Sequence, residues 1–147
     1  MGDRPRVFLD ASVVIAALLS ERGGSFYIIT ELKDRFGFVV NDYVFTEVQR
    51  ILAEKFDHVP RLSAGLLPLL GFAGVVLIPD PPLSDVRVAA KLISKNDAPI
   101  LAGAWAGCEY LLTLDNEFFN HTIVKASKRR GLTILKPGDF IALAEVC

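Results

Sequence analysis

The strongest limit on the fold of this chain is a set of short apolar runs spaced far enough apart for a helix between each pair. The runs are Val7-Phe8-Leu9, Phe38-Val39-Val40, Val75-Val76-Leu77-Ile78, Tyr110-Leu111-Leu112-Thr113 and residues 132–135. The first two show no polar alternation and read as strands buried on both faces. The stretches between the runs have helical patterns. They cover residues 11–21, 25 to about 35, the segment opened by Asn41-Asp42, residues 60 to about 70, 83–94, 98–107, about 121–130, and a terminal segment after Pro137-Gly138-Asp139. Gly23-Gly24 and Gly37 supply stop signals, and Ser25 is placed as an N-cap. Val44, Val48, Ile51, Leu52 and Phe56 form an apolar stripe at helical spacing. Short strands alternating with helices predict an α/β protein with one parallel sheet and helices on both faces.

Size and composition narrow the class. A chain of 147 residues with 52% hydrophobic content suits one domain over residues 1–147 with a sizeable core. The formal net charge of -1 excludes a uniformly basic surface but leaves room for a local basic face. Cys108 and Cys147 have no metal-ligand spacing and do not suggest a disulfide scaffold, so they read as one core thiol and one terminal thiol. The apolar stretch near the N-terminus is interrupted by Asp10, and no uninterrupted run reaches membrane-span length. A soluble cytoplasmic protein is expected.

The acids carry the chemistry. In an open parallel sheet, ligands meet the carboxyl ends of the strands. Asp10 follows the first run and Asp115 follows the fourth. Glu47 falls in the first turns of the helix after the second strand, Asp97 at the start of the helix before the fourth, and Glu117 two residues beyond Asp115. Each also has a plain reading: Asp10 and Asp97 as helix caps, Asp115 as a turn cap, Glu47 and Glu117 as surface residues. Were they to converge, mutual repulsion would call for divalent cations, and hard oxygen donors suit Mg2+ or Mn2+ over zinc. Such a site favours phosphodiester hydrolysis.

Three segments resemble the PIN-domain family. They are VFLDASVVIAALLS at residues 7–20, VNDYVFTEVQRIL at 40–52 and KNDAPILAGAWAGCEYLLTLDNEFF at 95–119. The resemblance implies a three-layer α/β/α sandwich with a parallel sheet of about five strands in the order 3-2-1-4-5. It implies metal-dependent endoribonuclease activity with Mg2+ or Mn2+, and a likeness to the toxins of prokaryotic toxin–antitoxin pairs, with a cognate antitoxin and a homodimer as partners. By position, Asp10, Glu47, Asp97 and Asp115 resemble the metal-binding acids, and Glu117 a less constant fifth. Ser12 and Thr113 resemble the hydroxyl residues that orient them. Two positions depart from the family: Ser12 stands where Asn is common, and Glu117 where Asp is frequent. The implied mechanism has Asp10, Asp97 and Asp115 holding one ion, with Glu47 and Glu117 serving a second ion or the attacking water. In-line attack then leaves a 5′-phosphate and a 3′-hydroxyl.

Lys125, Lys128 and Arg129 share a helical face, Arg50 lies near Glu47, and Lys95 approaches Asp97. All five are candidate contacts to an RNA backbone. No aromatic pattern resembles a stacking platform, and Trp105, among small residues, is expected in core or dimer packing. His58 and His121 lack ligand partners at motif spacing. The apolar segments 24–35 and 61–72 supply surface for a second copy or an antitoxin. Two other function classes fit the same residues: a catalytically inactive PIN-like module that binds RNA or protein, and a DNA nuclease or other acidic metal-dependent phosphohydrolase. A response-regulator receiver lacks its paired acids and strand-end lysine.

Overall fold

The computed structural model describes residues 3–146; Cys147, the expected terminal thiol, lies outside them. The chain runs β1 (Arg6–Leu9), α1 (Ala11–Leu19), α2 (Gly24–Glu31), β2 (Gly37–Asn41), α3 (Asp42–Lys55), α4 (Pro60–Ala73), β3 (Val76–Ile78), α5 (Leu83–Ala89), α6 (Ala98–Trp105) and β4 (Tyr110–Leu112). A 3-10 turn (Asn116–Phe119), α7 (His121–Arg129), β5 (Thr133–Leu135) and α8 (Pro137–Val146) complete it. The five strands are all parallel, in the order β3-β2-β1-β4-β5. Helices cover both faces, giving the three-layer α/β/α sandwich. On one face α1 to α4 pack among themselves, with α8 against α2. On the other, α5 pairs with α6, α6 lies on β1, and α7 flanks β5.

The apolar runs form the strands because burial on both sides suits them. Val7, Phe8, Leu9, Leu111 and Leu112 are fully buried. In register, Leu9 pairs with Leu112, so β1 and β4 finish side by side and the turns that follow them meet. β2 ends in Asn41, which is also fully buried. Its Oδ1 accepts from Val44 N at 2.9 Å, capping α3, and its Nδ2 donates to Pro99 O at 3.3 Å, tying β2 to α6. α4 ends at Gly74, whose φ of 68° lies in the left-handed region that a glycine enters without Cβ strain.

Several element bounds differ from the sequence expectation. α1 stops at Leu19, where Ser20 turns extended while its N–H still bonds Ala16 O. α2 is capped by extended Gly23, and Ser25 is buried inside the helix instead of capping it. The same helix ends at Glu31, and the turn beyond it lets the Arg35 guanidinium donate to Ala144 O on α8 at 2.8 Å. α5 gives way after Ala89 to tight turns closed by Lys91 N to Val88 O and Leu92 N to Ala89 O. β3 is an edge strand, and Val76 and Leu77 remain half-exposed. Among the described residues no single helix is long and apolar enough to cross a membrane; α1 and α2 reach that length only as a pair bent by 97°.

Candidate metal-binding site

The site lies past the carboxyl ends of β1 and β4 and begins with Asp10. This side chain is 5% exposed, and a carboxylate there is tolerable only with hydrogen bonds. Its Oδ1 accepts from Ala11 N at 2.8 Å. Its Oδ2 accepts from Ser12 Oγ at 2.9 Å and from Thr113 Oγ1 at 2.7 Å. The two hydroxyls also accept, Ser12 Oγ from Leu114 N and Thr113 Oγ1 from Asp115 N, both at 3.0 Å. Two side chains thereby lash the end of β1 to the turn after β4. Burial raises the Asp10 carboxyl above its ordinary value, the three hydrogen bonds oppose that rise, and the Asp115 charge adds to it.

Asp115 caps the 3-10 turn, its Oδ1 accepting from Glu117 N at 3.0 Å. That turn brings Glu117 back toward Asp97, which stands just ahead of α6 without capping it. One carboxylate oxygen from each of Asp97, Asp115 and Glu117 lies within 4.8 Å of the others. Ser94 holds two of them. Its Oγ is 3.2 Å from Asp97 Oδ2 and 3.1 Å from Glu117 Oε1, and its N–H donates to Glu117 Oε2 at 3.2 Å. Burial, the hydrogen bond with Glu117 and the charges of Asp115 and Asp10 push the Asp97 carboxyl up to about 8. Glu117 is held below its ordinary value, chiefly by the hydrogen bond from Asp97 and then by Ser94. Of this pair, Asp97 is the side that favours a proton and Glu117 the side that favours the charge.

Glu47 is not part of this group. It projects from α3, where Arg50 Nη2 lies 3.3 Å from its Oε2 and Arg50 Nη1 is 2.9 Å from Glu54 Oε1. Tyr43 lines a cavity with Glu47 and also feels the charge of Asp97. Its hydroxyl donates to Asn96 O at 2.6 Å, bracing the residue before Asp97, and burial followed by the charges of Glu47 and Asp97 raises its pKa. Lys95, Lys125, Lys128 and Arg129 are all exposed. His58 sits beside Asp57 at 3.7 Å, and His121 opens α7. The sequence reading missed Ser94 and Tyr43. Ser94 precedes Asp97 by three residues, a recognisable hydroxyl-to-acid spacing, but the expected helix over 83–94 concealed it. Nothing local marks the Tyr43 hydroxyl.

The donor set fits a hard divalent cation. Metal–oxygen distances of about 2.0–2.5 Å put opposite ligands about 4–5 Å apart, and burial, the hydrogen bond with Glu117 and the nearby carboxylate charges favour a proton on Asp97. A bound cation removes the reason for that proton. Mn2+ affinity is therefore expected to rise with pH and level off above about 8, with net proton release at pH 7. Calorimetric titration in buffers of different ionisation enthalpy reads this directly; equal affinity at pH 6 and pH 8 would contradict the shared proton. The sign for the metal-free protein is the reverse. Asp97 has a raised folded pKa, so its contribution to stability is full below its unfolded value of 3.8 and is lost as pH rises through about 8.

No family model matches the sequence, and no curated protein matches it. Solved structures do match its fold. PAE2754 from Pyrobaculum aerophilum aligns with a TM-score of 0.69 at 17% identity, over 97% of this chain and 91% of that one. VapBC2 from Rickettsia felis, solved bound to a DNA fragment from their promoter, aligns with a TM-score of 0.63 at 16% identity, over 89% of this chain and 98% of that one. At such identities the likeness is one of architecture. Sheet order, crossover helices and these structural neighbours together establish that the chain has the PIN-like fold.

Proposed function

We propose that this chain is a divalent-metal-dependent endoribonuclease that hydrolyses RNA phosphodiester bonds. The observation that carries the reading is the convergence of Asp97, Asp115 and Glu117 beside the buried Asp10. Asp97, Asp115 and Glu117 would hold Mg2+ or Mn2+, with Asp10 behind them. The cation would neutralise phosphate charge and lower the pKa of water. The chain's own residues do the rest. Ser12 and Thr113 fix the Asp10 carboxylate, and Ser94 keeps Asp97 and Glu117 facing each other. Glu47 lines a cavity of about 380 Å³ with Tyr43, Thr46, Arg50 and Asn96. We assign it to the attacking water or a second ion, with Arg50 turning from Glu47 to an incoming phosphate. Lys95 and the α7 cations Lys125, Lys128 and Arg129 would take further phosphates.

The toxin of a toxin–antitoxin pair is the biological setting this reading favours, acting in the cytoplasm as one domain over residues 1–147. Its support is the PIN resemblance and the fold shared with VapBC2. A protein partner, whether a cognate antitoxin or a second copy, has exposed apolar side chains to cover on α4 and the edge strand β3, where Leu67, Phe72, Val76 and Leu77 are each more than half-exposed.

Purified protein incubated with single-stranded and hairpin RNA plus Mn2+ or Mg2+ is expected to leave 5′-phosphate and 3′-hydroxyl ends, with EDTA stopping the reaction. Single-stranded DNA serves as the competing substrate. Products ending in 2′,3′-cyclic phosphate would overturn the hydrolytic chemistry, and faster cutting of DNA would overturn the substrate. Folded protein that binds Mn2+ and cuts nothing would identify a binding module.

A further inference from the structure

A second feature lies at the other end of α6. Asp97 precedes this helix and Trp105 closes it; eight residues at about 1.5 Å each put the two about 12 Å apart along its axis. Trp105 packs against the edge of the core, as expected, but is not enclosed by it. It is half-buried, and its indole N–H donates at 3.0 Å to Oγ of Ser127, itself fully buried, which fixes the ring. The Arg130 guanidinium carbon lies 3.9 Å from the ring centroid, and its Nη1 donates to Ala126 O at 3.3 Å. Both groups open onto a cavity of about 390 Å³ that is otherwise lined by Asp85, Val88, Ala102 and Ala106.

We infer that this cavity is an exosite for one base of single-stranded RNA. The inference rests on the ribonuclease reading for the identity of the polymer. The chemistry of the lining supports it from three sides. The Arg130 guanidinium lies over the indole ring and both line the cavity, and single-stranded RNA is bound by bases stacking on aromatic and guanidinium planes. The small side chains of Ala102 and Ala106 and the flank of Val88 leave room for a flat ring. Asp85 repels phosphate from the cavity itself, so the base enters while the backbone stays outside, and its carboxylate can accept from an exocyclic amino group. The backbone has a track to follow, because exposed Lys125, Lys128 and Arg129 lie on the helix that ends at Arg130. This concentration of cations on a chain of net charge -1 is complementary to a polyanion and does not suit an acidic cavity ligand or an apolar peptide. RNA cut at the acidic cluster would reach the exosite a few nucleotides from the scissile bond.

The chain has a single tryptophan, so its fluorescence reports on the exosite alone. Protein in EDTA is titrated with a short 5′-labelled single-stranded RNA, following Trp105 emission and label anisotropy together. Saturable quenching with the same midpoint as the anisotropy is expected. Arg130→Ala should weaken binding by about tenfold, Arg130→Lys should restore charge but not stacking, and Lys128→Ala with Arg129→Ala should flatten the salt dependence. Circular dichroism checks that each variant is folded. RNA binding by anisotropy with unchanged Trp105 emission and an unaffected Arg130→Ala variant overturns the exosite, whether or not RNA is cut. Quenching by RNA with no cleavage under Mn2+ retains the exosite and overturns the nuclease. Quenching by an apolar peptide and not by RNA makes the cavity a protein-docking site and overturns the inference.

Discussion

An Asp115→Asn variant is expected to bind Mn2+ more weakly by about 10–100-fold or more, and RNA cleavage should fall by at least about 100-fold. The variant loses the charge and one of the two carboxylate oxygens. An asparagine Oδ1 can still accept from Glu117 N, so the 3-10 turn keeps its cap. Asp115 is only half-buried, and thermal stability should move by less than about 1 kcal/mol. With one like charge gone, Asp97 also loses part of what raises its carboxyl, and the pH dependence of residual Mn2+ binding should shift to lower pH. Calorimetry and gel-based cleavage, run on protein of matched melting temperature, test the pair of effects. Cleavage at the unchanged rate would remove Asp115 from the machinery.

The second large effect is on stability, and its sign is opposite to the usual rule. Glycine inside a helix is normally worse than alanine by about 0.5–1 kcal/mol. Gly103 in α6 is an exception. A Cβ there would lie 2.7 Å from Asn41 Nδ2, 3.1 Å from Phe8 Cε2 and 3.3 Å from its Cζ. Asn41 and Phe8 are both fully buried, and Asn41 cannot retreat without losing its bonds to Val44 N and Pro99 O. Gly103→Ala should therefore destabilise the protein by about 1–3 kcal/mol, lowering Tm by about 3–10 °C. Gly71, with nothing near its Cβ position, is the matched control, and Gly71→Ala should leave Tm level or raise it. A Gly103→Ala protein as stable as the parent would mean that α6 shifts freely over β1.

The central strands β1, β2 and β4 could be read from the chain because they are buried on both faces, and a run such as Val7-Phe8-Leu9 has no other stable use. The acids at strand ends could be read for a related reason. A carboxylate is excluded from the strand interior, so Asp10 and Asp115 mark where β1 and β4 leave the core. Their cap readings are also true in the structure, since both side chains accept from the turn that follows them. Which acids meet depended on geometry that local pattern does not carry. The early end of α5 brings Ser94 to the cluster, and the 3-10 turn swings Glu117 into it. Glu47 has a plausible position in sequence, but the Arg50 one turn away pairs with it. Trp105 was expected in packing and does pack against the core; the cavity that Ala102 and Ala106 leave beside it carried no signal in the sequence.

The link between Asp10 and Thr113 has a consequence for synthesis. Its two ends are 103 residues apart in the chain, and β1 cannot pair with β4 until β4 exists. At about 5–20 residues per second, a ribosome takes about 5–20 s to cover that distance. Throughout that time Asp10 has Ser12 but not the Thr113 hydroxyl, nor Asp115 and Glu117. A growing chain therefore has no assembled acidic cluster until Glu117 has been made. Any product broken off before β4 would lack two of the three clustered acids, Asp115 and Glu117.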